Sequence, residues 1–141
     1  MKKHRIILSL FFIFMVLSCG KEEIKDEISE VATAFGTHYY NLNIKKAKEY
    51  CHPDIHGIMD FRAYNVRDMD RELHKEIDSA TVKVLKYDVD PDKNSAYVDI
   101  EVKNFIRVNW MQGTIHVVPC DTFMIVLINE FNTGWVVRHP S

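Results

Sequence analysis

The chain has 141 residues, 47% of them hydrophobic and 27% charged, and only nine are glycine or proline. These values fit one ordinary globular domain and exclude a disordered or collagen-like chain. A formal charge of -2 and a pI near 6.4 leave no basic excess to neutralise phosphates, which argues against a nucleic-acid partner.

Lys2, Lys3, His4 and Arg5 make a basic start, and Ile6 to Leu17 is a run of twelve residues in which only Ser9 is polar. Twelve helical residues span about 18 Å, short of the roughly 30 Å hydrocarbon core, so residues 1–18 read as a signal peptide rather than a permanent transmembrane helix. The following Val16-Leu17-Ser18-Cys19-Gly20 resembles the bacterial lipobox. That resemblance implies cleavage before Cys19 and a covalent diacylglycerol and N-acyl lipid on its new N-terminus, with no other cofactor. An ordinary secretory peptide ending near a cysteine is the alternative. Cleavage removes Lys2, Lys3 and Arg5 and no acid, so 15 basic side chains face 20 acidic ones in the mature chain. Acyl chains contribute about 0.8 kcal/mol per buried methylene, so an acidic body need not bind the membrane itself. Gly20-Lys21-Glu22-Glu23 resembles the export signal of surface lipoproteins in the Bacteroidota, which implies an outer-membrane anchor with display on the cell surface. The competing reading is a solvated acidic tether over 19–26 on a periplasm-facing protein.

Past the tether, Ile24, Ile28, Val31, Ala32, Phe35 and Tyr39 recur at spacings of three and four, the period of one apolar helical face. Asn43 offers an N-cap oxygen to a short second helix with Ile44, Ala47 and Tyr50 on its apolar stripe. Cys51 to Gly57 reads as a loop, because Pro53 disfavours helix at His52 and Gly57 is a weak helix former. Val66, Met69, Leu73 and Ile77 then predict a third amphipathic helix. From residue 81 the period becomes two: Val82 and Val84, and then Ala96, Val98, Ile100 and Val102, predict half-buried strands joined by a turn over 88–95. A second turn at 109–113 leads to a strand from Thr114 towards Asn129, in which Pro119 implies a bulge or an edge. Phe123 to Ile128 is apolar at every position, which predicts cover on both faces. A turn at 132–134 precedes a short last strand at Trp135-Val136-Val137.

Helices followed by an antiparallel meander make an α+β domain over 27–141, with N-terminal helices packed on a curved antiparallel sheet of about four strands. Four segments carry a family likeness: Tyr39-Tyr40-Asn41-Leu42-Asn43, Ala47-Lys48-Glu49-Tyr50, Asn94 to Ile100, and Gly134-Trp135-Val136-Val137. Together they resemble small bacterial lipoproteins of the nuclear transport factor two-like superfamily, over residues 26 to 139. The resemblance implies a cone-shaped, cystatin-like sheet. The superfamily holds enzymes, ligand carriers and interaction domains, so the fold does not decide the function. The leading expectation is a non-enzymatic module that binds a ligand or a protein partner. The alternatives are a small-molecule carrier or isomerase-like enzyme with an apolar cone cavity, and an accessory subunit of an envelope assembly.

An isomerase-like site would need a carboxylate inside the cone, and strand alternation puts Asp121 on the face of Phe123, Ile125 and Leu127. Asp60, Tyr39 and His116 are its candidate partners; a wet rim residue is the competing reading of Asp121. His52, Asp54 and His56 beside Cys51 are candidate metal ligands, although their spacing matches no standard site and a solvated loop explains them as well. With Cys19 lipidated, Cys51 and Cys120 form an even pair in an exported protein, either bridged or left as buried thiols. Phe105, Trp110 and Met111 form an apolar cluster at a hairpin tip where a partner or small apolar ligand could dock, unless Trp110 folds back over the open end of the sheet. The all-apolar stretch 123–128 suggests that a second copy covers the other sheet face, giving a homodimer.

Overall fold

The computed structural model describes the backbone of residues 2–66 and 79–140. Helix α1 runs unbroken over Lys2–Tyr40 and is followed by α2 (Ile44–Lys48), a 3-10 turn at Pro53–Ile55, and α3 (His56–Val66). Four strands follow: β1 (Thr81–Asp90), β2 (Ser95–Asn109), β3 (Thr114–Ile128) and β4 (Val136–His139). They form one antiparallel sheet in the order β1-β2-β3-β4. The protein is thus α+β, with its helices N-terminal to a curved, unclosed four-stranded sheet, an arrangement consistent with the cone expected from sequence.

The apolar stripe of α1 makes the core. Ile28, Ala32, Phe35 and Tyr39 are buried, one above another at helical spacing, while Ile24 is exposed. They face Ala96, Val98, Ile100 and Val102 of β2 and Ile125 and Leu127 of β3, all fully buried. Each such aliphatic side chain contributes about 1.5–3 kcal/mol by leaving water. Gly36 lets the two layers close up. A β-carbon there would sit 3.1 Å from a Val82 methyl and 3.3 Å from Ile100 Cδ1.

Irregularities in β1, β2 and β3 shape the sheet. The β1–β2 register shifts between Val84 and Lys86, which leaves Leu85 unpaired and exposed. Between the pairs Lys103↔Cys120 and Phe105↔Val118, Asn104 adopts a left-handed φ of 54° opposite Pro119, which has no N–H to give the ladder. The bulge or edge expected at Pro119 is this break. It also ends the two-residue alternation of β2, so the inward position passes from Val102 to Phe105. Strand β4 is covered on its far side by the chain leaving α2: His52 N–H donates to Val137 O and Val137 N–H to Tyr50 O, each at 2.8 Å. That pairing closes a strand edge and ties the helical layer to the sheet.

Several local expectations need correction. Residues 20–26 belong to helix α1, so the segment read as a solvated acidic tether is helical, with Gly20 and Glu22 to Asp26 exposed. Asn43 occupies the N-cap position of α2, but its side chain makes no capping bond. The loop expected over 51–57 holds a 3-10 turn and the first residues of α3. Pro53 stands in the first turn, where a missing N–H costs nothing, and His52 Nδ1 accepts from Asp54 N–H at 3.3 Å. The first hairpin turn is narrower than expected and occupies only residues 91–94. Cover over 123–128 is incomplete on the outer face of the single chain, where Met124 is 50% exposed, Val126 half-buried and Ile128 buried. Met69, Leu73 and Ile77 of the expected third helix lie outside the described residues, as does the side chain of Cys19.

Candidate functional site

The open end of the sheet holds a cavity of about 280 Å³. Tyr39, Tyr40 and Leu42 at the end of α1 form one wall, Phe105 to Val108 and Phe123 of the sheet another, and Arg62 of α3 and Trp110 of the β2–β3 turn close the side. The wall is aromatic for a packing reason. The Tyr40 ring stacks on Phe123 at 4.9 Å between centroids and meets Phe105 edge-on at 5.3 Å, and Phe105 meets Phe123 edge-on at 5.4 Å. Such pairs add about 0.5–1.5 kcal/mol each beyond their buried area and hold the wall rigid.

Two guanidinium groups reach the cavity. Arg62 donates a hydrogen bond to the Tyr39 hydroxyl oxygen and lies over two rings, 5.5 Å from the Tyr39 centroid and 5.3 Å from that of Trp110. Burial pushes the Tyr39 hydroxyl above its ordinary pKa, against the pull of the nearby Arg62 charge. Arg107 pairs with Asp121 and lies 5.7 Å and 5.8 Å from the Phe105 and Phe123 centroids. The first guanidinium therefore has a neutral phenol for a partner, and the second has a carboxylate.

Asp121 does share the face of Phe123, Ile125 and Leu127, in register with Val102. It stands at the rim, however, 43% exposed and ion-paired. The Thr122 backbone N–H and then the Arg107 side chain hold its carboxyl below the usual carboxylate range. A proton-abstracting base works best with a pKa raised towards the operating pH, so this environment pushes Asp121 the wrong way. Its expected partners are not gathered round it. Asp60 is exposed and bound to Lys48 at 2.7 Å, His116 is exposed on β3, and Tyr39 is held by Arg62.

The candidate ligands His52, Asp54 and His56 take part in a network of hydrogen bonds and ion pairs. His56 Nε2 lies 3.0 Å from Cys51 O, while His52 lies 3.3 Å from both Asp54 and Glu130 carboxylates. Arg138 of β4 completes the group, 2.9 Å from Glu130 and 3.4 Å from Asp54. This network ties the 3-10 turn to the last strand. Among the described residues no three His, Cys, Asp or Glu side chains are placed to share a metal ion.

Cys51 and Cys120 are both free, the first buried and the second exposed. Cys51 bridges to Val137, which pairs with Leu127 of β3. Cys120 is seven residues from Leu127, or roughly 23 Å of strand, so of the two readings of the pair a disulfide is out of reach, and of the two free thiols only Cys51 is buried. Burial pushes the Cys51 thiol up to about 12.

The hairpin cluster divides in two. Phe105 is buried and Trp110 folds back over the open end of the sheet, so both belong to the cavity, while Met111 projects into solvent at 98% exposure. Sequence reasoning missed Arg62, Tyr40, Leu42, Arg107 and Val108 as wall residues. Arg62 carried one usable signal: with Met59, Ala63 and Val66 packed inward on the same stretch, it flanks an inward-facing stripe at helical spacing. No known protein family matches this chain, and comparison with curated proteins finds no match.

Proposed function

We propose that the chain is an outer-membrane lipoprotein, anchored through acylated Cys19 and displayed at the cell surface, that acts as a non-enzymatic binding module with the aromatic cavity as its ligand site. The observation that carries this reading is the cavity itself: about 280 Å³, walled by Tyr40, Phe105, Phe123 and Trp110. A concave, mostly apolar site with a few convergent polar groups is the usual form of a small-molecule site. Among the described residues lining it there is no carboxylate, and Asp121 beside it is paired and held acidic. That favours binding over proton abstraction. Along a continuous helix the twenty steps from Cys19 to Tyr39 rise about 30 Å, which supports a ligand reached from the aqueous side.

Binding is tested with the full chain in detergent micelles, in a Trp135→Phe background that leaves Trp110 as the only indole. Titration with 2-naphthoate should change Trp110 emission saturably, and Val108→Phe, which fills the cavity, should abolish the change. A response that survives the filled cavity refutes the site. The anchor is tested by intact mass: acyl mass on the wild type and none on Cys19→Ala is expected, and equal masses apart from the substitution would remove the lipoprotein reading.

A second reading has one observation behind it. Tyr97 and Met124 stay exposed on the outer sheet face, beside half-buried Val126. They favour a protein interface, either a second copy or an envelope assembly. A strictly monomeric chain with no crosslinked partner on intact cells would count against it.

A further inference from the structure

We infer that the cavity selects a small aromatic anion whose acid group binds Arg62, an inference that rests on the cavity being the ligand site. Size comes first. An apolar cavity of about 150 Å³ holds one benzene. At about 280 Å³ this one has room for a fused pair of rings, and its wall offers the Tyr40, Phe105 and Phe123 rings for them to pack against.

Charge decides the rest. Of the two guanidinium groups at the cavity, Arg107 already has a carboxylate partner in Asp121. Arg62 has none among the described residues; its hydrogen bond goes to the neutral Tyr39 hydroxyl, and its plane rests on the Tyr39 and Trp110 rings. The side chain carries five N–H donors, so among the described residues most of its hydrogen-bonding capacity is left to solvent. A neutral apolar ligand would expel that water and leave the cation without compensation, and a cation would meet like charge. A flat acid replaces the water with a carboxylate or sulfonate, whose paired oxygens match the fork of a guanidinium. The ring faces that hold Arg62 in place also fix the direction in which its free donors point.

The experiment compares 2-naphthoate with 2-naphthamide, equal in shape and differing in charge, by calorimetry on the full chain in micelles. Wild type, Arg62→Met and Arg62→Lys are measured side by side, so uptake of each probe by the micelle is common to all three. Wild type should prefer the carboxylate by roughly tenfold or more, the worth of one charge-assisted hydrogen bond. Arg62→Met should erase that preference while still binding the amide. Arg62→Lys, which keeps the charge and loses the fork, should retain part of it, and it decides the matter if the Met variant does not fold. Equal binding of both probes, lost together in Val108→Phe, would leave the cavity as a ligand site and overturn the anion inference. Failure of both probes to bind wild type would overturn the cavity reading, and the inference with it.

Discussion

Gly36→Ala sets two effects of similar size against each other, and the structure says which should win. Alanine in a helix interior is favoured over glycine by about 1 kcal/mol. Against that, the new methyl would lie 3.1 Å and 3.3 Å from the two methyls of Val82 and 3.3 Å from Ile100 Cδ1. Val82 is stiff at χ1, and because both of its methyls face the glycine, rotation exchanges one clash for the other. Ile100 is fully buried and has little room to turn. Overpacking of this kind costs about 1–3 kcal/mol, so Gly36→Ala should destabilise the chain by about 1 kcal/mol net. In a Val82→Ala background the clash is largely removed, and the same substitution should become stabilising by up to about 1 kcal/mol. The cycle thus predicts a coupling of about 2 kcal/mol, measured by urea unfolding of all four proteins followed by circular dichroism. Tyr39 and Tyr40 follow Gly36 by three and four residues, so lifting α1 should also weaken 2-naphthoate binding, with recovery in the double variant. Additive effects, or a stabilising Gly36→Ala in the wild-type background, would refute the claim that this glycine sets the helix-to-sheet distance.

Other consequences can be checked separately. Cys51 is buried with its thiol raised to about 12, whereas Cys120 is exposed, so iodoacetamide at pH 8 should label the Cys120 peptide and spare the Cys51 peptide until the chain unfolds. Because the folded pKa of Cys51 is raised, its contribution to stability is intact below the ordinary thiol value of 9.0 and is lost as pH rises from there towards about 12. Cys51→Ala should flatten the alkaline slope of the urea midpoint, and an unchanged slope contradicts the assignment. Asp121 has a depressed pKa, so whatever stability it adds is present above the ordinary carboxylate range and fades as pH falls through the depressed value. In an NMR titration Arg107→Gln should move that carboxyl back up; no movement would show the Thr122 amide acting alone. Phe131 is 90% exposed with φ 60° and ψ 20°, a left-handed conformation costing about 1–2 kcal/mol for an ordinary residue. Phe131→Asn should therefore stabilise the chain by about 0.5–1 kcal/mol, and a loss of stability would mean that the ring makes contacts its exposure does not suggest.

Periodicity made the core legible. The stripe Ile28–Ala32–Phe35–Tyr39 and the alternating Ala96–Val98–Ile100–Val102 are buried as a pattern of 3.6 and a pattern of 2 require. Both signals are local, since each depends only on which face of one element meets its neighbour. The break at Pro119 was legible in the same way, because a missing N–H is a property of one residue. Its consequence was not. The partner of Pro119 is Asn104, and the left-handed φ there turns Phe105 inward from what the alternation of β2 makes its solvent face. The cysteine pair stayed open for the converse reason: counting gives an even number, while the strand register alone gives the distance between them.

The cavity was harder to foresee because its wall is drawn from the ends of elements far apart in the chain: residues 39–42, 62, 105–110 and 123. At an element's end a face no longer has a single neighbour, so periodicity says where the side chain points and not what it meets. Arg62 shows the cost of one wrong local step. Reading Pro53 and Gly57 as the end of regular structure left residues 58–65 without a helix, and a lone arginine in an unassigned segment has no face. Pro53 is in fact a beginning. It stands in the first turn of the segment that leads into α3, where its locked φ is suited to helix and its missing N–H has no partner to lose. Given that helix, Met59 and Val66 inward bring Arg62 up beside Tyr39, and the only guanidinium at the cavity without a carboxylate among the described residues becomes its most specific feature.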